Sequence, residues 1–213
     1  MKTACLKYFV SCSIFSAVLA GSYAQAAPVI SELFYDASGS DAGLVFVELF
    51  GSPGESLDGL VVEGINGGTG DVYSSLALSG VMPGDGVFVI GDDSGGGTSV
   101  ANADLVADID YQNGPDSVVL RGLSGVLDAV GYGVFGVNDI FAGEGGAAPD
   151  PSAGSSIARL NALFDTGDNS VDFSVLDTPT PGSVPSVSAV PLPASAWLLG
   201  SGLMTLVSLR RNR

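Results

Sequence analysis

Leu44-Val45-Phe46-Val47-Glu48-Leu49-Phe50 reads as a β-strand. In extended chain successive side chains point to opposite faces, so Val45, Val47 and Leu49 share one apolar face and Glu48 points the other way. Six further short runs rich in Val, Ile and Phe lie on either side, at 29–35, 57–65, 72–78, 87–90, 117–120 and 126–132. Gly, Asp, Asn, Ser and Pro fill the gaps between them. Seven such runs predict an all-β fold, a sandwich or a barrel. Two turns punctuate the pattern. Pro83-Gly84-Asp85-Gly86 reads as a tight turn with Pro and Gly at its centre, and Ser124-Gly125 as the turn of a hairpin. The 31 glycines fall at turns and show no collagen-like period. No stretch between residues 28 and 183 keeps a helical apolar period for long, and 157–164 reads equally as a helical turn or two or as another strand. That span fits one domain with a core of its own.

The charge is distributed unevenly. Of the 7 basic residues, Lys2 and Lys7 lie near the start and Arg210, Arg211 and Arg213 at the end. The span between holds Arg121 and Arg159 against all 23 carboxylates, a formal charge of −21. Residues 28–183 also have no His, Cys, Lys or Trp. These absences exclude Ser-His-Asp, Cys-His and Ser-Lys nucleophiles, and Schiff-base chemistry. They also exclude zinc, copper and haem sites built on imidazole or thiolate. Two arginines in such a negative field make nucleic acid an unsuitable partner. Carboxylate chemistry, hard-cation binding or no chemistry remains.

Both ends read as addresses. Lys2 and Lys7 precede an apolar run, 8–20, and Ala24-Gln25-Ala26 is a small-x-small site ahead of Ala27-Pro28. This predicts a secretory signal peptide over 1–26, cut by signal peptidase between Ala26 and Ala27. At the other end Val190-Pro191-Leu192-Pro193 precedes an uncharged stretch, 194–209, and the Arg210, Arg211, Arg213 cluster. As a helix rising about 1.5 Å per residue, 194–209 falls slightly short of a ~30 Å hydrocarbon core. Flanking apolar residues and local bilayer thinning can close that gap. The arginines hold the C-terminus in the cytoplasm. This three-part tail resembles the PEP-CTERM sorting signal, in the Val-Pro-Leu-Pro variant of its usual Val-Pro-Glu-Pro motif. The resemblance implies a membrane-embedded exosortase as processing enzyme, a Gram-negative host, transient anchoring in the inner membrane, and release to the cell surface or beyond. The alternative is an ordinary single-pass anchor. Between domain and tail, 178–189 reads as a solvated Pro/Ser/Thr linker.

Several runs of the middle span, taken in order, resemble the lamin tail domain of secreted bacterial proteins. Val29-Ile-Ser-Glu-Leu-Phe-Tyr35 is similar to its opening strand and Phe46-Val-Glu-Leu49 to its [Trp/Phe]-[Ile/Val]-Glu-Leu strand. Leu57-Asp-Gly-Leu-Val-Val62, Pro83-Gly84 with Val87-Phe-Val-Ile90, Asn113-Gly-Pro-Asp-Ser-Val-Val-Leu120 and Val126-Leu-Asp-Ala-Val-Gly-Tyr-Gly133 follow in the family's order. Thr178-Pro-Thr-Pro-Gly-Ser183 resembles its Pro-Thr-Pro-Gly ending. The resemblance implies an immunoglobulin-like β-sandwich over 27–177. Phe46 stands where bacterial members often carry Trp, and the Asn-Pro or Asn-x-[Ser/Thr] that usually follows Glu-Leu is missing.

Candidate sites are few. Glu32 and Glu48 are the carboxylates most embedded in apolar strand; they read as solvent-face residues, with an acid–base pair or cation ligands as the alternative. Asp104, Asp108, Asp110 and Asp116 surround Gln112-Asn113-Gly114, and Asp165 to Asp172 form a second acidic loop. Both read as turn-capping loops, with weak Ca²⁺ binding as the alternative. Tyr35, Tyr73, Tyr111 and Tyr132 read as residues at the rim of the core with wet hydroxyls, the alternative being a sugar-stacking surface. No catalytic residue, resident metal or cofactor is expected. The expected function is a non-enzymatic surface or matrix module that meets an envelope protein or exopolysaccharide. A calcium-dependent adhesion module and a carboxylate-only glycoside hydrolase are the rivals.

Overall fold

A computed structural model describes residues 27–184. The signal peptide with Ala26, the Val190–Pro193 motif, the 194–209 segment and the terminal arginines lie outside the described residues. Among residues 27–184 no helix is long and apolar enough to cross a membrane.

Among the described residues ten strands form: β1 (Val29–Phe34), β2 (Phe46–Phe50), β3 (Val61–Asn66), β4 (Val72–Ala77), β5 (Val87–Asp92), β6 (Leu105–Ala107), β7 (Asp116–Gly122), β8 (Gly125–Tyr132), β9 (Ser156–Arg159) and β10 (Phe173–Leu176). A four-residue helix, α1 (Asn169–Asp172), leads into β10. Six strands make one sheet in the order β10-β9-β1-β2-β5-β6, and four make the other, β4-β3-β7-β8. Only β5 and β6 run parallel; every other neighbouring pair is antiparallel.

The described domain is therefore all-β, two sheets packed over a shared core. Ile30, Leu33, Val47, Leu49, Ile90, Ile157 and Phe173 of the larger sheet meet Val62, Val118, Leu120, Val130 and Tyr132 of the smaller. All seven runs expected from the sequence contain strands. The run at 57–65 begins late, because Asp58-Gly59 makes a turn in which Leu60 N–H donates to the Leu57 carbonyl, and the strand starts at Val61. β9 resolves the ambiguous 157–164 segment: its first residues pair with β1 and β10, and the chain leaves the sheet at Leu160.

Both turns are shifted from the sequence reading. Gly86 N–H donates to the Pro83 carbonyl, so Gly84 and Asp85 are central and Pro83 opens the turn. The hairpin pairs Gly122 with Gly125, so Leu123-Ser124 makes its two-residue turn.

The outer faces are not bare. Phe34, Phe46, Val87 and Val89 form a second apolar cluster on the larger sheet, covered by Val100, Ala103 and Val184. Ile65, Val119 and Ala129 form a third on the smaller sheet, beneath Ala142. This explains why β5 is buried at all six positions. Strands covered on both faces lose the clean in–out alternation of a half-exposed sheet.

Candidate functional site

Two carboxylate centres dominate the interior: one lies on the larger sheet and the other joins it to the smaller. The first joins Glu32 of β1 to Glu48 of β2. A bulge in β1 between Ile30 and Glu32 leaves Ser31 unpaired and sets Glu32 directly across from Glu48. Like charges facing each other across strands repel, so each carboxylate needs donors. Glu48 Oε1 accepts from Ser31 Oγ at 2.6 Å and its Oε2 from Gly182 N at 2.7 Å. Glu32 Oε1 accepts from Ser156 Oγ at 2.6 Å and from Thr180 N at 2.9 Å, and its Oε2 from Thr180 Oγ1 at 2.7 Å.

Glu48 points away from the core, as the alternation required. It does not reach solvent: Glu32 is 1 % exposed and Glu48 0 %. The solvent-face expectation is overturned because Thr180, Gly182 and Val184 cross this face as a strap. The chain thus remains on the domain beyond Asp177, where the sequence pattern had suggested solvated linker. Burial pushes the Glu48 carboxyl up, the Ser31 hydroxyl and Gly182 N–H pull it back, and Glu32 raises it again.

The second centre is built on Arg159, the last residue of β9, whose side chain is wholly buried. Its Nη2 meets Asp128 Oδ1 and Oδ2 at 2.9 and 3.0 Å. Its Nη1 meets Asp172 Oδ2 at 2.9 Å and Asp165 Oδ1 at 3.3 Å. Its Nε donates to the Ile30 carbonyl at 3.2 Å, and the guanidinium lies 4.7 Å from the centre of the Phe173 ring. Asp128 also accepts from Ile30 N and Ala129 N. Burial raises the Asp128 carboxyl, and the Arg159 charge and the Ile30 N–H oppose that rise.

Asp165, Asp168 and Asp172 of the second acidic loop are thereby assigned. Asp165 and Asp172 are Arg159 partners, and Asp168 caps α1 by accepting from Ser170 N. Between the caps, buried Asn169 binds three backbone groups of other segments: Gly131 N, Glu144 N and the Ala129 carbonyl.

Glu144 lies beside this centre, its Oε2 buried without a hydrogen-bond partner. Desolvation, then the charges of Asp128 and Asp165, push its carboxyl up to about 7, and Arg159 acts against them. Asp128, Glu144 and Asp165 each place an oxygen within 4.8 Å of the others. They are the one such trio of metal-ligating types among the described residues, and nothing in their spacing along the chain marks their convergence. Arg159 already supplies the cation here, bound to Asp128 through both oxygens.

The other expected groupings disperse. Asp104 accepts from Val89 N at 2.9 Å at the sheet edge, and buried Asp116 accepts from Gly67 N at 2.9 Å. Asp108 and Asp110 stay exposed, so the four carboxylates do not converge on one point. The tyrosines do not sit at the rim with wet hydroxyls as expected: three of the four are sealed inside the core. Tyr35 stacks on Tyr132 at 4.0 Å, and Tyr35, Tyr111 and Tyr132 are at most 1 % exposed. Tyr132 donates to the Gln112 carbonyl, and Tyr73, its phenol pushed up to about 12 by burial, accepts from Gln112 N. The three buried rings present no face to a sugar, and Tyr73 is half-buried.

An apolar cavity of about 420 Å³ opens where the described chain begins, lined by Ala27, Val29, Phe50, Pro53, Leu127 and Leu163, with Asp165 on its wall. Ala27, expected as the first residue after signal cleavage, is half of that junction; Ala26 and the sorting-motif residues lie outside the described residues.

No family model matches this chain. Among curated proteins and solved structures, likewise, none matches.

Proposed function

We propose that this chain is an exported, non-enzymatic β-sandwich, immunoglobulin-like in class and akin to the lamin tail domain. In this reading an exosortase processes it at Val190–Pro193, and it is displayed at the cell surface or in an extracellular matrix to meet an envelope protein or exopolysaccharide. The observation that carries the non-enzymatic part is the state of the buried carboxylates. Glu32 and Glu48, the pair best placed by sequence for acid–base work, are closed under the 180–184 strap, and each of their four oxygens accepts at least one hydrogen bond. Asp128 and Asp172 are spent on Arg159. A glycosidase needs its two carboxyls facing a sugar across an open cleft, and neither pair faces one. The sorting part is supported by sequence: a proline motif, a marginal apolar span and an arginine cluster occur together in the last 24 residues.

Fractionation of the native host tests the reading. Surface material should contain protein that begins at Ala27 and has lost the segment from about Ala194 onward. The Pro191→Ala/Pro193→Ala double variant should accumulate at full length in the inner membrane. Intact Arg213-ending protein dominating the surface fraction would reduce the tail to a plain anchor.

A further inference from the structure

The strap over Glu32 and Glu48 behaves as a ligand in its seat. It adds no strand to either sheet, and its polar contacts are made to side chains: Thr180 N and Oγ1 to Glu32, Gly182 N to Glu48, and the Pro181 carbonyl to Asn102 Nδ2 at 2.9 Å. Ser183 N–H closes back onto the Thr180 carbonyl at 3.0 Å, which makes Thr180-Pro-Gly-Ser183 a self-contained turn. Pro181 and Gly182 occupy its centre, Gly182 at φ +84°, the arrangement of a type II turn. A Cβ on Gly182 would lie 2.7 Å from the Asn102 side chain, so the seat admits glycine there and excludes larger residues. Val184 then drops onto the Phe34, Phe46, Val87 and Val89 cluster.

The seat itself is built without the strap. Its carboxylates stand on β1 and β2 at a bulge, fixed from below by Ser31 and Ser156. Lifting the strap breaks no ladder of either sheet, but it strips three donors from two facing carboxylates. Such charge-assisted bonds are the strong ones, and an emptied seat demands a replacement that offers the same donors.

We propose that this face is a binding site for a Thr-Pro-Gly-Ser-Val turn segment, filled in cis by residues 180–184 and able to take the same segment from a second copy of the chain. Recognition has three parts: the hydroxyl and N–H of Thr on Glu32, the N–H of Gly on Glu48 with no side chain against Asn102, and the Val side chain in the apolar cluster. The occupant is specified by the contacts the segment already makes, and the exposed connection at Asp177 and Thr178 is where one chain would pass its strap to another.

The test uses the full chain in detergent and a fluorescein-labelled peptide of residues 177–185. Wild-type chain, its seat filled, should bind the peptide weakly. A chain carrying Thr180→Val and Gly182→Ala should bind it at least tenfold more tightly by fluorescence anisotropy, with an unchanged β-type circular dichroism spectrum. A peptide carrying Gly182→Ala should lose that binding. A folded variant that fails to bind, or binds both peptides alike, overturns the proposal, as does equal binding to wild type and variant. If the variant does not fold, hydrogen exchange of the wild-type chain decides: excess peptide should speed exchange of its own Gly182 amide, and unaltered protection overturns the proposal.

Discussion

Arg159 holds Asp128 through both carboxylate oxygens, at 2.9 and 3.0 Å, with neither side chain exposed to water. The two lie 31 positions apart in the chain, on different sheets, so this contact ties the sheets together near one end of the core. Removing one partner of a buried pair strands the other charge in a medium that solvates it poorly. Arg159→Met is therefore expected to cost about 3–5 kcal/mol, since it strands Asp128 and Asp172 together. Urea unfolding followed by fluorescence or circular dichroism measures it. A loss under about 1 kcal/mol, the size of a surface pair, would show that water reaches this centre.

Asn169 ties the 143–146 loop to β8 through Gly131 N, Glu144 N and the Ala129 carbonyl. Asn169→Ala leaves these groups without partners and should destabilise by roughly 2–3 kcal/mol, because an unsatisfied buried polar group costs its full desolvation. Asn169→Asp keeps the acceptor contacts but loses the donor to Ala129 and adds a charge beside Glu144, so it should be no milder. Melting curves of the two variants, compared with wild type, check both statements.

Ionisation of Glu144 should make the domain less stable at slightly alkaline than at mildly acidic pH. Its carboxyl is raised from 4.5 in the unfolded chain to about 7 in the fold. The folded state then holds the proton more tightly, so stability is full below about pH 4.5 and falls as pH rises through about 7. Glu48, Asp110, Asp116 and Asp128 are shifted in the same direction, chiefly by burial. Glu144→Gln should flatten the slope between pH 5 and 8. Discounted for the partial exposure of this side chain, it should gain about 1 kcal/mol at pH 8, or roughly 2–4 °C in melting temperature. Equal melting temperatures of variant and wild type at pH 8 would contradict this.

Divalent cations should stabilise by screening alone. The acidic loop at 165–172 is organised by Arg159, and Asp104, Asp108, Asp110 and Asp116 do not converge. Ca²⁺ and Mg²⁺ at equal ionic strength are thus expected to raise the melting temperature equally. A larger rise with Ca²⁺ at millimolar concentration would mark specific binding to the native state.

The strands were legible because their apolar runs are short, rich in Val and Ile, and bounded by glycine. Elements that depend on partners far along the chain were harder to read. β6 has three residues and pairs in parallel with β5, and β9 and β10 have four residues each, too few to show a clear alternation. The alternation placed Glu48 on the face away from the core but held no information on what covers that face. Thr180 lies 148 positions from Glu32, and only folding brings them together. Arg159 carried one usable signal: with two cations against 23 carboxylates in the domain, a buried aspartate has few places to find a partner. The convergence of Asp128, Glu144 and Asp165 had no local signature at all.

The seating of Val184 also fixes a length. Val190 is six residues further along the chain, and a fully extended backbone spans at most about 3.3–3.6 Å per residue. The Val-Pro-Leu-Pro motif is thus leashed within roughly 20 Å of the sheet flank while the strap stays down. Any enzyme acting on the motif must then work in the shadow of the folded domain. Unseating residues 180–184 would release several more residues of reach, making the grip of Glu32 and Glu48 a setting for how far Val190 can stand from the sheets.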